Sequence, residues 1–237
     1  MKVRKYCAIL MVMIMAISMC ACGKTQKVEA VFKDQTTDNA ADALNILKQG
    51  NKRYIEGKME NFDLGDTKRK ELVKGQKPFA VVITCSDSRV VPEYIFDQGL
   101  GDLFVIRVAG NVIDTDEMAS IEYGVEHAGA KLVVLLGHEN CGAITAAVEA
   151  KEQPSKQDTK SIHELLTKIN PSVEKAEALN LKDKDSLIDK AIDFNIEAGV
   201  KELKESSEIL KKGIEDKDVQ VIGAKYILDS GEVTWFE

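Results

Sequence analysis

Two apolar runs of this chain, at 79–84 and 131–137, each lead directly into residues that commonly bind metal ions. The first run is followed by Cys85, and the second is followed by His138 and then Cys141. Short, continuous apolar runs are typical of parallel strands that are buried on both faces. In open α/β sheets, ligands usually bind in the crevice beyond the carboxyl ends of such strands. The sequence therefore predicts that these three side chains meet at one end of a parallel sheet.

Strand and helix patterns alternate along the middle of the chain. Apolar runs predict strands at 79–84, 103–108 and 131–136. Helical spacing or position between strands predicts helices at 41–56, about 68–73, after Pro92, at 116–128 and at 142–150. This alternation favours an α/β fold with a mostly parallel central sheet, right-handed crossovers and flanking helices.

The last third of the chain differs from this alternating pattern. After a charged stretch at 151–160, a long helical region is expected at about 162–214, with breaks near Pro171 and Lys182. The chain then closes with a strand at 219–228, a tight turn at 229–231 and a returning strand that reaches residue 236. We therefore expect an antiparallel edge strand at the C-terminus of the sheet.

The N-terminus has the pattern of a secretion signal. Three basic residues within the first five precede an apolar run that ends in Ala21, Cys22 and Gly23. This pattern resembles a bacterial lipoprotein signal in particular, in which the cysteine is lipidated. Cleaved secretion and an uncleaved membrane anchor are the alternatives. An anchor needs about 20 apolar residues, and this run is shorter. We predict a signal peptide at 1–21, lipidation at Cys22, a flexible tether at 22–40 and one folded domain at 41–237.

The charge of the chain limits the partners it can have. The formal net charge is −7, and the predicted cleavage would remove three further positive charges. Such an acidic body does not attract nucleic acid or anionic lipid. We therefore expect no nucleic-acid partner and a membrane contact made only through acyl chains on Cys22. The expected location is outside the cytoplasm, anchored to the cell membrane as a lipoprotein.

The cysteines allow two interpretations. Of the five in the chain, only Cys85 and Cys141 lie outside the predicted signal and its cleavage site. A disulfide between them is one possibility in an extracytoplasmic protein. Zinc is the other, because cysteine and histidine are its usual ligands and three protein ligands leave a fourth position for water. The neighbouring Asp87, Arg89 and His138 favour zinc, since a disulfide gives them no role.

The combined motifs resemble those of the β-class carbonic anhydrases. The resemblance rests on Cys85-Ser-Asp-Ser-Arg89 and Gly137-His-Glu-Asn-Cys-Gly142, with further matches at 50–54, 75–78, 104–111, 121–123 and 221–226. It covers about 41–237 and is weakest at 151–215. It implies a β-carbonic anhydrase-like fold and reversible hydration of carbon dioxide to bicarbonate and a proton by zinc-bound hydroxide. It also implies one Zn²⁺ per subunit and a homodimer or dimer of dimers.

The resemblance also implies roles for individual residues. Cys85, His138 and Cys141 would be the zinc ligands, and Asp87 would orient the attacking hydroxide while Arg89 keeps Asp87 off the metal. Gln76, Phe104 and Tyr123 would line the substrate pocket, partly across a subunit interface, and Gly142 would allow close approach beside the metal. The ordinary alternatives are an ion pair for Asp87 and Arg89, a loop position for Gln76, and core positions for the two aromatic residues.

Other catalytic interpretations fit the sequence less well. His127 and His163 lie in predicted helices and are more simply surface or core residues than proton shuttles. Ser86 and Ser88 have no evident histidine base, so a serine hydrolase is disfavoured. Hydrolysis of carbonyl sulfide or carbon disulfide on the same fold stays open, as does a non-catalytic zinc-binding lipoprotein. The intact Asp87 and Arg89 argue against the latter, since metal capture alone needs only ligands.

Overall fold

The computed structural model describes residues 37–60, 65–153 and 159–236. The predicted signal peptide, Cys22 and most of the predicted tether lie outside these residues. Within the described part of the chain, no helix has both the length and the apolar character needed to cross a membrane.

Helices and strands follow the predicted order. The helices are α1 Ala40–Ile55, α2 Asp66–Leu72, α3 Pro92–Ile95, α4 Thr115–Glu126, α5 Gly142–Glu152, α6 Lys160–Glu177, α7 Lys184–Ser206 and α8 Glu208–Glu215. The strands are β1 Ala80–Thr84, β2 Leu103–Arg107, β3 Leu132–His138, β4 Gln220–Tyr226 and β5 Val233–Phe236. A short 3₁₀ turn at Ala109–Asn111 follows β2. Strand β3 is longer than predicted and includes His138 as its last residue.

The five strands form one sheet in the order β2-β1-β3-β4-β5. β1 pairs in parallel with both β2 and β3, and β3 pairs in parallel with β4. β5 is antiparallel to β4 at the edge. The predicted α/β fold with an antiparallel C-terminal edge strand is therefore confirmed.

Side chains of the central strands alternate between two apolar layers, as the pleat of a strand requires. On one face, Val82 and Val134 pack in a cluster with residues of α1 and α3. On the other face, Val81 and Val133 pack with residues of α4 and α8. Every residue of β1 and β3 is buried, which explains why both strands are continuous apolar runs in the sequence.

The long C-terminal helical region differs from the prediction in two ways. The break expected near Pro171 is wrong, because α6 continues through that residue. A proline inside a helix removes one backbone hydrogen bond. Here Ile169 and Val173 are buried on either side of Pro171, and their packing offsets that loss. The break near Lys182 is confirmed, and a second break lies at Ser207, whose buried hydroxyl accepts from the Leu210 N–H and caps α8.

Candidate metal centre

Two adjacent parallel strands place the three predicted ligands at the same edge of the sheet. Cys85 directly follows β1, His138 ends β3, and Cys141 immediately precedes α5. Thr84 pairs with Leu136 in the register, and the Thr84 hydroxyl donates to the Leu136 carbonyl at 2.8 Å. This pairing aligns the two strand ends, although the ligands they carry are far apart in the sequence.

The ligand atoms lie close enough to share one ion. One donor atom each of Cys85, His138 and Cys141 lies within 4.8 Å of the others, and all three residues are buried. The Cys85 and Cys141 sulfurs are 4.0 Å apart. Two thiolates on one tetrahedral zinc, at about 2.3 Å each, would be about 3.8 Å apart. A disulfide needs a sulfur-to-sulfur distance of about 2.05 Å. The two cysteines are therefore not joined by a disulfide, and both are free.

The imidazole of His138 is oriented for metal binding. Its Nδ1 lies 2.8 Å from the Glu139 carbonyl, which accepts a hydrogen bond when Nδ1 carries the proton. The lone pair is then on Nε2. Nε2 is buried and has no hydrogen-bond partner among the described residues. A buried polar atom without a partner is costly, and a metal ion at this point would satisfy it.

The two sulfurs differ in their environment. The hydrogen bond between the Cys85 and Cys141 sulfurs lowers the pKa of Cys85. Smaller contributions come from His138 and from the Gly110 N–H, whose nitrogen lies 3.3 Å from the sulfur. The same Cys85–Cys141 hydrogen bond raises the pKa of Cys141. The lowered pKa of Cys85 favours its thiolate, the form that binds metals.

Asp87 lies beside this group and is held by Arg89. The Arg89 Nε donates to Asp87 Oδ1 at 2.9 Å, and Arg89 Nη2 donates to Oδ2 at 2.8 Å. This hydrogen bonding holds the pKa of the Asp87 carboxyl far below its usual range. Asp87 Oδ2 is 3.9 Å from His138 Nε2. The group of mutually close donor atoms nevertheless consists of Cys85, His138 and Cys141, without Asp87.

Arg107, for which no separate role was predicted, fixes the loop that carries Cys85 and Asp87. Its Nη2 donates to the Asp87 carbonyl at 2.7 Å, and its Nε donates to the Cys85 carbonyl at 3.4 Å. Arg89 reaches the other ligand loop, donating to the Asn140 carbonyl at 3.3 Å. The sequence signals for Arg107 are its position at the end of the neighbouring strand and its place in the family-like stretch 104–111.

The predicted pocket residues do not gather around the metal group within one chain. Gln76 is exposed and lines a cavity of about 910 Å³, whose lining includes none of the three candidate ligands. Phe104 pairs with Val81, which precedes Cys85 by four residues or roughly 13 Å of extended strand. Tyr123 stacks near Phe104, with ring centroids 6.2 Å apart, and its side chain is 52% exposed.

The two glycines beside His138 and Cys141, and the two histidines outside the predicted site, have distinct surroundings. A Cβ at Gly142 would meet no atom within 4 Å, so the space beside this residue is open. A Cβ at Gly137 would lie 2.6 Å from the Ile196 side chain, so its close approach is to α7. His127 and His163 are exposed and lie at or in helices. Ser86 and Arg89 are exposed in the loop after β1.

Comparison with known proteins gives consistent matches. Residues 80–233 match the family model for carbonic anhydrase. Carbonic anhydrase 2 of Mycobacterium tuberculosis is 36% identical over 193 residues, which cover 81% of this chain and 91% of that protein. The solved structure of the β-carbonic anhydrase CcaA superposes with a TM-score of 0.68 at 26% identity, covering 82% of this chain and 95% of the other.

A third match comes from a filamentous ascomycete. The tetrameric β-carbonic anhydrases of Sordaria macrospora include a solved chain with a TM-score of 0.62 and 26% identity. The superposition covers 71% of this chain and 85% of that chain.

Replacing one sulfur ligand tests the metal centre. Cys141→Ser should lower bound zinc from about one ion per chain to a small fraction, because only two of the three ligands remain. The measurement is metal analysis of the purified protein after dialysis against a weak chelator. His127→Ala is the matched control, since it removes an exposed histidine outside the group. Equal zinc content in wild type and Cys141→Ser would contradict the assignment.

Proposed function

Because this chain belongs to the β-carbonic anhydrase family, we propose that its Cys85–His138–Cys141 centre catalyses the reversible hydration of carbon dioxide to bicarbonate and a proton. The observation that carries the proposal is the buried group of two sulfurs and one unpartnered imidazole nitrogen, with an arginine-held carboxylate beside it. Zinc at this group would supply a bound water whose pKa is lowered to near 7.

The residues around the centre have separate roles in this reaction. Cys85 after β1, His138 at the end of β3 and Cys141 before α5 would hold the metal. Asp87 stays ionised at physiological pH because Arg89 keeps the pKa of its carboxyl far below the usual range. Its carboxylate accepts a hydrogen bond from the attacking water, which orients the oxygen lone pair toward the substrate. Carbon dioxide has no leaving group, so positioning and exclusion of water matter more than an added acid.

Arg89 controls where the Asp87 carboxylate points. Its two-pronged hydrogen bond occupies one lone pair on each carboxylate oxygen. The carboxylate is thereby kept beside the metal group and prevented from becoming a fourth ligand. The further contact from Arg89 to the Asn140 carbonyl ties this arrangement to the loop that carries Cys141.

A substitution at Asp87 separates metal binding from catalysis. Asp87→Asn should keep about one zinc per chain but lower kcat at neutral pH by about 100-fold or more, because the charged acceptor is lost. Stopped-flow hydration of carbon dioxide with a pH indicator measures the rate, and metal analysis is run on the same sample. Asp216→Asn, at an exposed helix end, is the matched control. A zinc-replete Asp87→Asn protein with an unchanged rate would refute the role.

We further propose that the active unit is a homodimer or a dimer of dimers. Val73, Tyr94 and Leu100 line the 910 Å³ cavity together with Gln76, and they are 84%, 61% and 41% exposed. Contiguous apolar surface of this kind commonly marks an interface. In this proposal, Gln76, Phe104 and Tyr123 complete a substrate pocket across the subunit boundary. The proposal is supported by the tetrameric assembly named for the Sordaria macrospora relatives.

A charge placed in the exposed patch tests this assembly. Wild type should have a mass at least twice that of one processed chain by light scattering. Val73→Lys should raise the concentration at which the assembly half-dissociates by about tenfold or more, since a desolvated charge is costly. Leu179→Lys changes a residue that is 49% exposed and lies outside this cavity, and should have no such effect. A fully active wild-type monomer would contradict the proposal.

We also propose that the protein is a lipoprotein held at the outer face of the cytoplasmic membrane. The support is the sequence of its first 23 residues, in which basic residues and an apolar run precede Ala21-Cys22-Gly23. In this proposal residues 1–21 are removed, Cys22 carries the lipid, residues 22–40 form a tether and 41–237 form the catalytic domain. The acidic body would be held off the membrane surface by like charge.

Two neighbouring cysteines provide the test of lipidation. Cys22→Ser should abolish incorporation of a labelled fatty acid, because the acceptor thiol is lost. Cys20→Ser is the matched control, since it changes a cysteine two residues earlier and leaves the acceptor intact. The proposal fails if both variants label as wild type does, or if only Cys20→Ser loses the label.

A further inference from the structure

The turn Ala109–Asn111 passes directly beside the Cys85 sulfur. The backbone N–H of Gly110 donates to this sulfur, with a nitrogen to sulfur distance of 3.3 Å. Gly110 has a φ of 67° and Asn111 has a φ of 44°, so two consecutive residues adopt the left-handed region. Such a conformation is unfavourable for non-glycine residues and persists where surrounding contacts determine it.

A side chain from α7 holds this turn. The Asn195 amide donates from Nδ2 to the Gly110 carbonyl at 2.9 Å, and Asn195 is 8% exposed. The turn is also enclosed by packing, because a Cβ at Gly110 would lie 3.0 Å from Ile169 Cδ1 and 3.1 Å from the Ala143 Cβ. Gly110 is thus bonded on its N–H side to Cys85 and on its carbonyl side to Asn195.

We propose that Asn195 is a positioning residue for the metal ligand Cys85, acting through the Gly110 backbone. This inference rests on the proposed metal centre. A hydrogen bond from an N–H to a metal-bound thiolate fixes the direction of the sulfur lone pairs and withdraws charge from the sulfur. Asn195 keeps the Gly110 N–H aimed at the sulfur by anchoring the same residue's carbonyl to α7. A helix in the part of the chain that least resembles the family thereby influences the metal site.

Metal affinity is the property that this contact changes. Loss of a partner beyond the direct ligands typically weakens metal binding by about 10- to 100-fold. We expect Asn195→Ala to raise the zinc dissociation constant by about that factor, measured by competition with a chromophoric chelator. In the cobalt-substituted protein, the thiolate-to-cobalt charge-transfer absorption should shift, because the sulfur has lost a hydrogen bond. Asn195→Asp keeps the shape of the side chain but lacks the N–H donor, so it should weaken zinc binding and shift the cobalt spectrum in the same way. It replaces the alanine variant if that variant does not fold.

Leu203→Ala is the matched control for damage to the helix. Leu203 is fully buried on α7 and packs in the cluster of Val81 and Val133, whereas the two cysteines belong to another cluster. Its truncation opens a cavity beside the same helix and should leave the zinc dissociation constant and the cobalt spectrum as in wild type. An equal weakening by Leu203→Ala would overturn the inference, since the effect would then be general destabilisation of α7.

The remaining outcomes separate this inference from the proposed function. If wild type binds about one zinc and both Asn195 variants bind it as tightly with an unchanged cobalt spectrum, Asn195 has no positioning role and the metal centre stands. If wild type itself binds no zinc at micromolar concentration, the metal centre fails and this inference fails with it.

Discussion

The parallel pairing of β1 with β3 is the constraint on which the metal centre depends. Ligands carried by the ends of two strands can meet only if those strands are neighbours and in register. Burial of both strands fixes that register, because a shift by one residue would exchange the side chains of the two core faces. The Thr84 hydroxyl bond to the Leu136 carbonyl adds a specific contact just before the ligands. The packing of the sheet core therefore determines the geometry of the centre.

Electrostatics explains why this edge of the sheet suits a divalent cation. Two buried cysteine sulfurs, a buried imidazole nitrogen without a partner and an ionised carboxylate gather within a few ångströms. Buried charge of one sign is costly unless it is compensated. Arg89 compensates Asp87 from the solvent side, where it is half exposed, and Arg107 binds backbone carbonyls of the same loop. In the described structure, the hydrogen bonds of both arginines go to carboxylate and carbonyl oxygens and not to the sulfurs.

Local patterns in the sequence predicted the features that local residues determine. The continuous apolar runs located β1 and β3, and the residues immediately after them supplied the ligands. The continuation of α6 through Pro171 could not be predicted this way, because it depends on packing of Ile169 and Val173 against residues distant in the chain. The break at Ser207 likewise depends on a tertiary contact, since its hydroxyl donates to Glu122 of α4. Arg107 and Asn195 donate hydrogen bonds to residues at least 20 positions away in the chain. The spacing of residues in a motif therefore does not predict these contacts.

The contacts of α7 connect the C-terminal helical region to the ligand strands. Ile196 packs so closely on Gly137 that a Cβ there would lie 2.6 Å from its side chain, and Gly137 directly precedes His138. The adjacent Asn195 bonds to Gly110, which in turn bonds to Cys85. Successive residues of one helix therefore contact the supports of two different ligands. A rotation or shift of α7 would disturb both supports together, although none of its residues is a candidate metal ligand.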